Sequence, residues 1–365
     1  MMKCRANWNK NKYLLRLGSV MLIVFFLAFR WTNILGDSRL TLASLQIFNH
    51  DLLKSKWTPL RLNKFLMNTS VPLEATSCLT WYSNNHSEPI IPNFTRNSNL
   101  FLTLEGDWWY KSNCVLHALP YGIKGNEAVV KQLLARTKSN MPDEIDRLSC
   151  KRCVVIGNGN TLRNSSLGEK INKYDIVIRL NNAPVRGYEK DVGTKTTLRI
   201  FYPESATEDP IGENNLDTLF VLVPFKSVDI QWLKAIVYNE AKVTKGFWKN
   251  PAFIKNLDPS KVRVLNPFYM HQAVTKLLER PGMIQRRGSH PTTGFLAVTL
   301  GLNYCDEVHI AGFGYPFNKK DGLIHYYDHL NMKLMSNSVH NITDEHLCLK
   351  KLKNAGVIKY LTELS

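Results

Sequence analysis

The sequence predicts an α/β fold, a mostly parallel sheet flanked by helices within a single domain. Two observations predict it. Short β-branched runs recur from Cys153 onward, and amphipathic helix-length runs fall between several of them. Alternation of that kind is the pattern of parallel strands covered on both faces. In chain order, strands are expected at Cys153–Ile156, Ile176–Leu180, Thr197–Tyr202, Thr218–Val223, Val262–Leu265 and Val308–Ala311. Helices are expected at Ile230–Ala241, Tyr269–Leu278 and Thr293–Leu302. From Cys78 to about Asn126 the chain is rich in Asn and aromatics without a clean period.

The amino terminus reads differently. Residues Leu17 to Phe29 are almost all apolar, and Lys3, Arg5, Lys10, Lys12 and Arg16 precede them with no acid. That asymmetry holds the first residues in the cytosol and sends the rest across the membrane. The expected organisation is a cytosolic tail (1–16), a signal-anchor transmembrane segment (17–36), a stem (37–75) and a lumenal body (76–365). A cleaved signal peptide is the rival, but the small-residue cleavage pattern is poor around Ala28.

Composition bounds the rest. Of 365 residues 44% are apolar, and 8 Trp, 14 Tyr and 16 Phe exclude a disordered chain. Lys plus Arg exceed Asp plus Glu, 47 against 30, for a net charge of +17. This suits an anionic partner or a solvated lysine-rich surface; its dispersal speaks against nucleic acid. Sequons at Asn68, Asn85, Asn93, Asn164 and Asn341 fit a lumenal body. Beyond Cys4 lie six cysteines, Cys78, Cys114, Cys150, Cys153, Cys305 and Cys348, enough for three disulfides in an oxidising compartment. Cys150 and Cys153 form a C-x-x-C, but no second half completes a zinc site, so no metal is expected.

Ligands of parallel sheets bind at the carboxyl ends of the strands. Two loops there stand out. Gly157-Asn158-Gly159-Asn160-Thr161 begins like a dinucleotide fingerprint, with Leu162 where a third glycine belongs. Its glycines admit a ligand close to the backbone, with Asn158 as a hydrogen-bonding group, or they make a plain tight turn. Pro291-Thr292-Thr293-Gly294 opens a helix, where a threonine caps the end or the free N–H groups hold a phosphate. Then come His325-Tyr326-Tyr327-Asp328, and His340 with Glu345 five residues on. Histidine titrates near neutrality and suits proton transfer with a sugar hydroxyl.

These pieces together resemble the animal sialyltransferases, glycosyltransferase family 29. The large sialylmotif is similar to Cys150–Ser205, the small one to Pro291–Gly314, motif III to His325–Asp328, and the H-x4-E motif to His340 and Glu345. The IRLNNAPV and GFGYP stretches are most similar to the β-galactoside α-2,3 branch and its type IV members. The resemblance implies a Rossmann-like, variant GT-A-like sheet in a lumenal catalytic domain of a Golgi type II membrane protein. It implies transfer of sialic acid from CMP-sialic acid to the 3-hydroxyl of terminal galactose on glycoproteins or glycolipids, N-acetyllactosamine acceptors favoured, with inversion and no cofactor. By the same resemblance, Asn158, Asn181, Thr292, Thr293, Gly294 and Gly314 would line the donor site. His325 would bind the donor phosphate and His340 would be the general base. Cys153 would pair with Cys305; the other four lumenal cysteines allow three connectivities, of which Cys78–Cys150 with Cys114–Cys348 is taken as a guess. One departure is His290, where some members have Tyr before the P-[ST]-T-G turn.

The chemistry agrees. CMP leaves as a phosphate monoester, and the chain has no D-x-D dyad to hold a divalent ion. A nucleotide-dependent oxidoreductase would need the third glycine and an acid at the next strand's end, whereas Asp175 precedes that strand. A non-catalytic glycan-binding protein would explain the sequons and aromatics but not His325 and His340 beside a nucleotide site.

Overall fold

Seven strands form one sheet: β1 (Arg152–Ile156), β2 (Ile176–Leu180), β3 (Leu198–Phe201), β4 (Leu219–Leu222), β5 (Val262–Val264), β6 (Glu307–Ala311) and β7 (Lys359–Tyr360). Every pairing is parallel, in the order β5-β4-β3-β2-β1-β6-β7. The computed structural model describes residues 90–91, 94, 96, 99–105, 116–210, 212–285, 290–316, 319–333 and 340–362, all within the compact unit Ala75–Ser365. The expected tail, membrane segment and stem lie outside these residues. Among the described residues no helix is long and apolar enough to cross a membrane.

Alternation along the strands divides the core between two faces. Cys153, Val155, Ile176, Ile178 and Leu180 pack on one side, with Phe295, Leu296, Val298 and Leu300. Val154, Ile156 and Val177 pack on the other, with Leu162, Ile171, Val192 and Tyr326. Each such Leu, Ile or Val, fully buried, contributes about 1.5–3 kcal/mol.

Four helices of eight or more residues are described: α1 (Glu127–Leu134), α2 (Ser227–Val237), α3 (Thr293–Tyr304) and α4 (Ile342–Asn354). Helix α3 buries residues on every side, as its unbroken apolar sequence requires, and lies across β1, β2 and β6. Helix α2 starts earlier than expected because Asp229 caps it, accepting from the amides of Phe225 and Lys226 at 2.8 and 3.1 Å. It stops at Val237, short of Ala241, and Asn239 then turns left-handed at φ 55°. The expected helix Tyr269–Leu278 is two pieces, α-helical Phe268–Gln272 and π-helical Ala273–Leu277.

A disulfide joins Cys153 on β1 to Cys305 just past α3, across 152 residues of sequence. Cys150 is also disulfide-bonded; Cys78 and Cys114 lie outside the described residues. The expected pair Cys114–Cys348 is corrected. Cys348 is a free, buried thiol whose Sγ donates to the Leu277 carbonyl at 3.3 Å. It sits on the packed face of α4, where an apolar position needs a small buried side chain and no bridge.

Candidate functional site

The strand order reverses beside β1: the chain runs outward to β5, then returns to place β6 on the opposite flank of β1. Such a switch point opens a crevice at the carboxyl edge. A cavity of about 200 Å³ lies there. Its walls include all eight expected residues: Asn158 after β1, Asn181 after β2, Gly314 after β6, Thr292, Thr293 and Gly294 at the start of α3, then His325 and His340.

The loop after β1 is held against two others. Amides of Gly157 and Gly159 donate to the carbonyls of Ala311 and Gly312 at 2.8 and 2.9 Å. A Cβ on Gly157 or Gly159 would stand 2.3 or 2.5 Å from the Gly312 oxygen. The glycines are therefore required by the neighbouring loop rather than by a dinucleotide. Leu162, in place of the third glycine, is fully buried in a short 3-10 turn, Asn160–Leu162. The His325–Asp328 segment docks on this loop. Asn160 N donates to the Ile324 carbonyl at 2.9 Å and Tyr326 N to the Asn158 carbonyl at 3.1 Å. Asn158 Oδ1 is buried without a donor, a state that costs about 1–3 kcal/mol unless a ligand N–H or O–H fills it. Its Nδ2 donates to Tyr327 Oη at 3.4 Å. Asn181 adopts φ 54°, a conformation Asn tolerates, and its Oδ1 accepts from Ser205 Oγ at 2.9 Å.

At α3 the cap is doubly fastened. Thr292 Oγ1 accepts from Phe295 N at 3.1 Å and donates to Glu345 Oε2 at 2.6 Å, while Thr292 N donates to Glu345 Oε1 at 2.7 Å. The amides of Thr293 and Gly294 have no acceptor among the described residues and remain open to an anion. Burial pushes the Glu345 carboxyl up to about 7 against these two hydrogen bonds. Glu345 thus serves Thr292 from within the first turn of α4, which begins at Ile342.

His340 is held through one ring nitrogen. Its Nδ1 lies 2.8 Å from the His290 carbonyl oxygen, which can only accept, so Nδ1 carries the hydrogen and Nε2 keeps its lone pair. Burial lowers its pKa below the ordinary histidine value, partly opposed by that bond. His290, the departure noted in the sequence, holds His340 through its backbone. Its ring lies 4.9 Å from the His340 ring and 4.5 Å from that of Phe225. Burial first, then the nearby His340, take His290 down to about 4. His325 gives Nδ1–H to Asp328 at 2.8 Å and stacks on Tyr327 at 5.0 Å and 7°.

Tyr202, Phe313, Tyr315 and His346 also line the cavity and were not singled out by motif reading. Tyr202 follows β3, and Phe313 and Tyr315 follow β6, so the strand-end rule could have found them; His346 carries no such signal. Of the sequons, Asn164 lies exposed in a turn at φ 63°, and Asn341, exposed, caps α4 by accepting from Asp344 N at 3.1 Å. Asn68, Asn85 and Asn93 lie outside the described residues.

Known proteins share this architecture. Residues 101–357 match the family model described as glycosyltransferase family 29 (sialyltransferase). The chain is 50% identical over 295 residues to the Homo sapiens CMP-N-acetylneuraminate-beta-galactosamide-alpha-2,3-sialyltransferase 4, covering 80% of this chain and 88% of that one. It is 42% identical over 294 residues to the Rattus norvegicus CMP-N-acetylneuraminate-beta-1,4-galactoside alpha-2,3-sialyltransferase, covering 79% and 77%. Among solved structures, a mammalian sialyltransferase matches with a TM-score of 0.58 at 27% identity, over 74% of this chain and 91% of that chain. Another, in complex with Gal-beta-1-3GalNAc-ortho-nitrophenol, matches with a TM-score of 0.56 at 28% identity, over 74% and 92%.

Proposed function

This chain belongs to glycosyltransferase family 29, and from that premise we propose that it transfers sialic acid from CMP-sialic acid to the 3-hydroxyl of a terminal β-linked galactose. The observation that carries the reading is the convergence of four loops on one cavity, with a neutral, oriented His340 in its wall. The 42% relative's name specifies a β-1,4-galactoside, which favours N-acetyllactosamine-type acceptors on glycoproteins or glycolipids.

In the proposed reaction, His340 Nε2 removes the proton of the galactose 3-hydroxyl as that oxygen attacks C2 of sialic acid. The bond from C2 to the CMP phosphate oxygen breaks on the opposite side, and configuration inverts. A positioned general base of this kind contributes about 10²–10⁴-fold. The open amides of Thr293 and Gly294, the α3 dipole and the His325 ring stabilise the anionic leaving phosphate. Asn158 Oδ1 accepts from the nucleotide, and Asn181, Gly294 and Gly314 shape the space around it. Nothing in this sequence of events calls for a metal or a cofactor. The charge bias before residue 17 supports a signal anchor and a lumenal, Golgi-facing body.

The test is incubation of the full-length protein in detergent with CMP-sialic acid, excess chelator and a panel of defined galactosides, followed by linkage analysis. An α-2,3-sialylated β-galactoside is expected. Product of another linkage, or a requirement for added Mn²⁺ or Mg²⁺, would overturn the reading.

A further inference from the structure

Ser205 ends a short 3-10 turn, Pro203–Ser205, that follows β3, and it is 7% exposed. It does not line the cavity, but both residues bonded to its hydroxyl do: Asn181 after β2 and Tyr202 after β3. Tyr202 N donates to Ser205 Oγ at 3.1 Å. The one hydroxyl hydrogen then has two acceptors within reach, the Tyr202 carbonyl at 3.0 Å and Asn181 Oδ1 at 2.9 Å. That carbonyl already takes the Ser205 amide at 2.9 Å, whereas Asn181 Oδ1 has no other donor among the described residues. The hydrogen therefore belongs to Asn181.

The rest of Asn181 is committed as well. Its backbone is left-handed at φ 54°, its N–H donates to the Ile200 carbonyl at 2.8 Å, and its carbonyl accepts from Arg199 Nη1 at 3.2 Å. With N–H, C=O and Oδ1 engaged, the Nδ2 hydrogens are what this residue offers to the cavity it lines. An unheld asparagine amide can present either its oxygen or its nitrogen; a hydroxyl that donates to the oxygen selects the nitrogen. Asn158 is set the other way. Its Nδ2 donates to Tyr327 Oη at 3.4 Å and its Oδ1 has no partner. The two asparagines thus face one cavity with opposite polarity.

We infer that Ser205 is a positioning residue that fixes Asn181 as a hydrogen-bond donor to the nucleotide, while Asn158 serves as an acceptor. Ser205 itself touches no ligand; it acts through the Asn181 amide on an oxygen or unprotonated nitrogen of the nucleotide. This rests on the donor reading above and adds to it the residue that sets the polarity of one contact.

The experiment is calorimetry of CMP binding to the full-length protein in detergent. It compares wild type with Ser205→Ala, Ser205→Thr, Asn181→Ala, the double variant of Ser205→Ala with Asn181→Ala, and Asn181→Asp. Ser205→Ala releases the amide and should weaken CMP about fivefold, the size of one net hydrogen bond. Ser205→Thr keeps the hydroxyl and should stay within about twofold of wild type. In the Asn181→Ala background, Ser205→Ala should cost less than about twofold more, since the group it orients is gone. Asn181→Asp still accepts from Ser205 but turns an oxygen to the cavity, so it should bind CMP more weakly than Asn181→Ala. Independent losses in the double variant, equal losses in Ser205→Thr and Ser205→Ala, or unchanged affinity in Ser205→Ala would show that Ser205 only closes its turn. Asn181→Asp binding CMP at least as well as Asn181→Ala would show that no donor is needed there. Any of these overturns the inference and leaves the donor reading intact. Should Ser205→Ala fail to fold, the Asn181→Asp comparison decides alone. Wild type that does not bind CMP would instead overturn the donor reading itself.

Discussion

Glu345 shows how one residue can be used against its own preference. Its carboxylate accepts both donors of Thr292, yet burial favours its protonated form and lifts its pKa from 4.5 to about 7. The folded protein therefore binds a proton that the unfolded chain has lost between about pH 4.5 and 7. Stability falls as pH rises through that window, by on the order of 3 kcal/mol from this group alone. Glu345→Gln can still bond Thr292 and has nothing to titrate. Thermal unfolding across pH 4–8 should show a flatter profile for the variant, with the difference confined to that window. Parallel profiles would contradict the assignment. No spacing rule in the sequence joins Glu345 to Thr292, 53 residues away.

At the scale of elements, the strands were the most legible part. All six expected strands lie within a residue or two of their positions, because parallel strands buried on both faces are written as apolar β-branched runs. The two-residue edge strand β7 is too short to carry such a pattern, and α1 lies in a stretch with no clean period. Helix ends were less legible. Asp229 capping and the left-handed Asn239 move α2 by several residues, and neither depends on apolar periodicity. The glycines after β1 were legible as special but not for their reason, since the Gly312 oxygen that excludes a Cβ comes from a loop far along the chain. Gly159→Ala should push apart the loops after β1 and β6 and displace the His325 segment bridged to Gly159. CMP affinity should fall at least about tenfold, an overpacking cost of about 1–3 kcal/mol spent at the site. Calorimetric binding near wild-type strength would show that the loops yield freely.

Across the whole molecule, the Cys153–Cys305 bridge ties β1 to the end of α3, the two elements whose opposite ends carry Asn158 and Thr292. In the chain-entropy model a closed loop of this length contributes about 4–5 kcal/mol. The paired change Cys153→Ala with Cys305→Ala should lower the unfolding midpoint by on the order of 10 °C, read by calorimetry under non-reducing conditions. An unchanged midpoint would show that the sheet alone holds α3 in place. The sheet, the bridge and the loops they hold bring His340 into the cavity wall with its Nδ1 committed to the His290 carbonyl. The most direct measurement is steady-state kinetics of folded His340→Ala beside His325→Ala, with CMP binding measured separately. The account predicts that His340→Ala loses at least about 10²-fold in kcat with donor KM and CMP affinity little changed, whereas His325→Ala raises donor KM as well. Turnover near the wild-type rate in His340→Ala would contradict it.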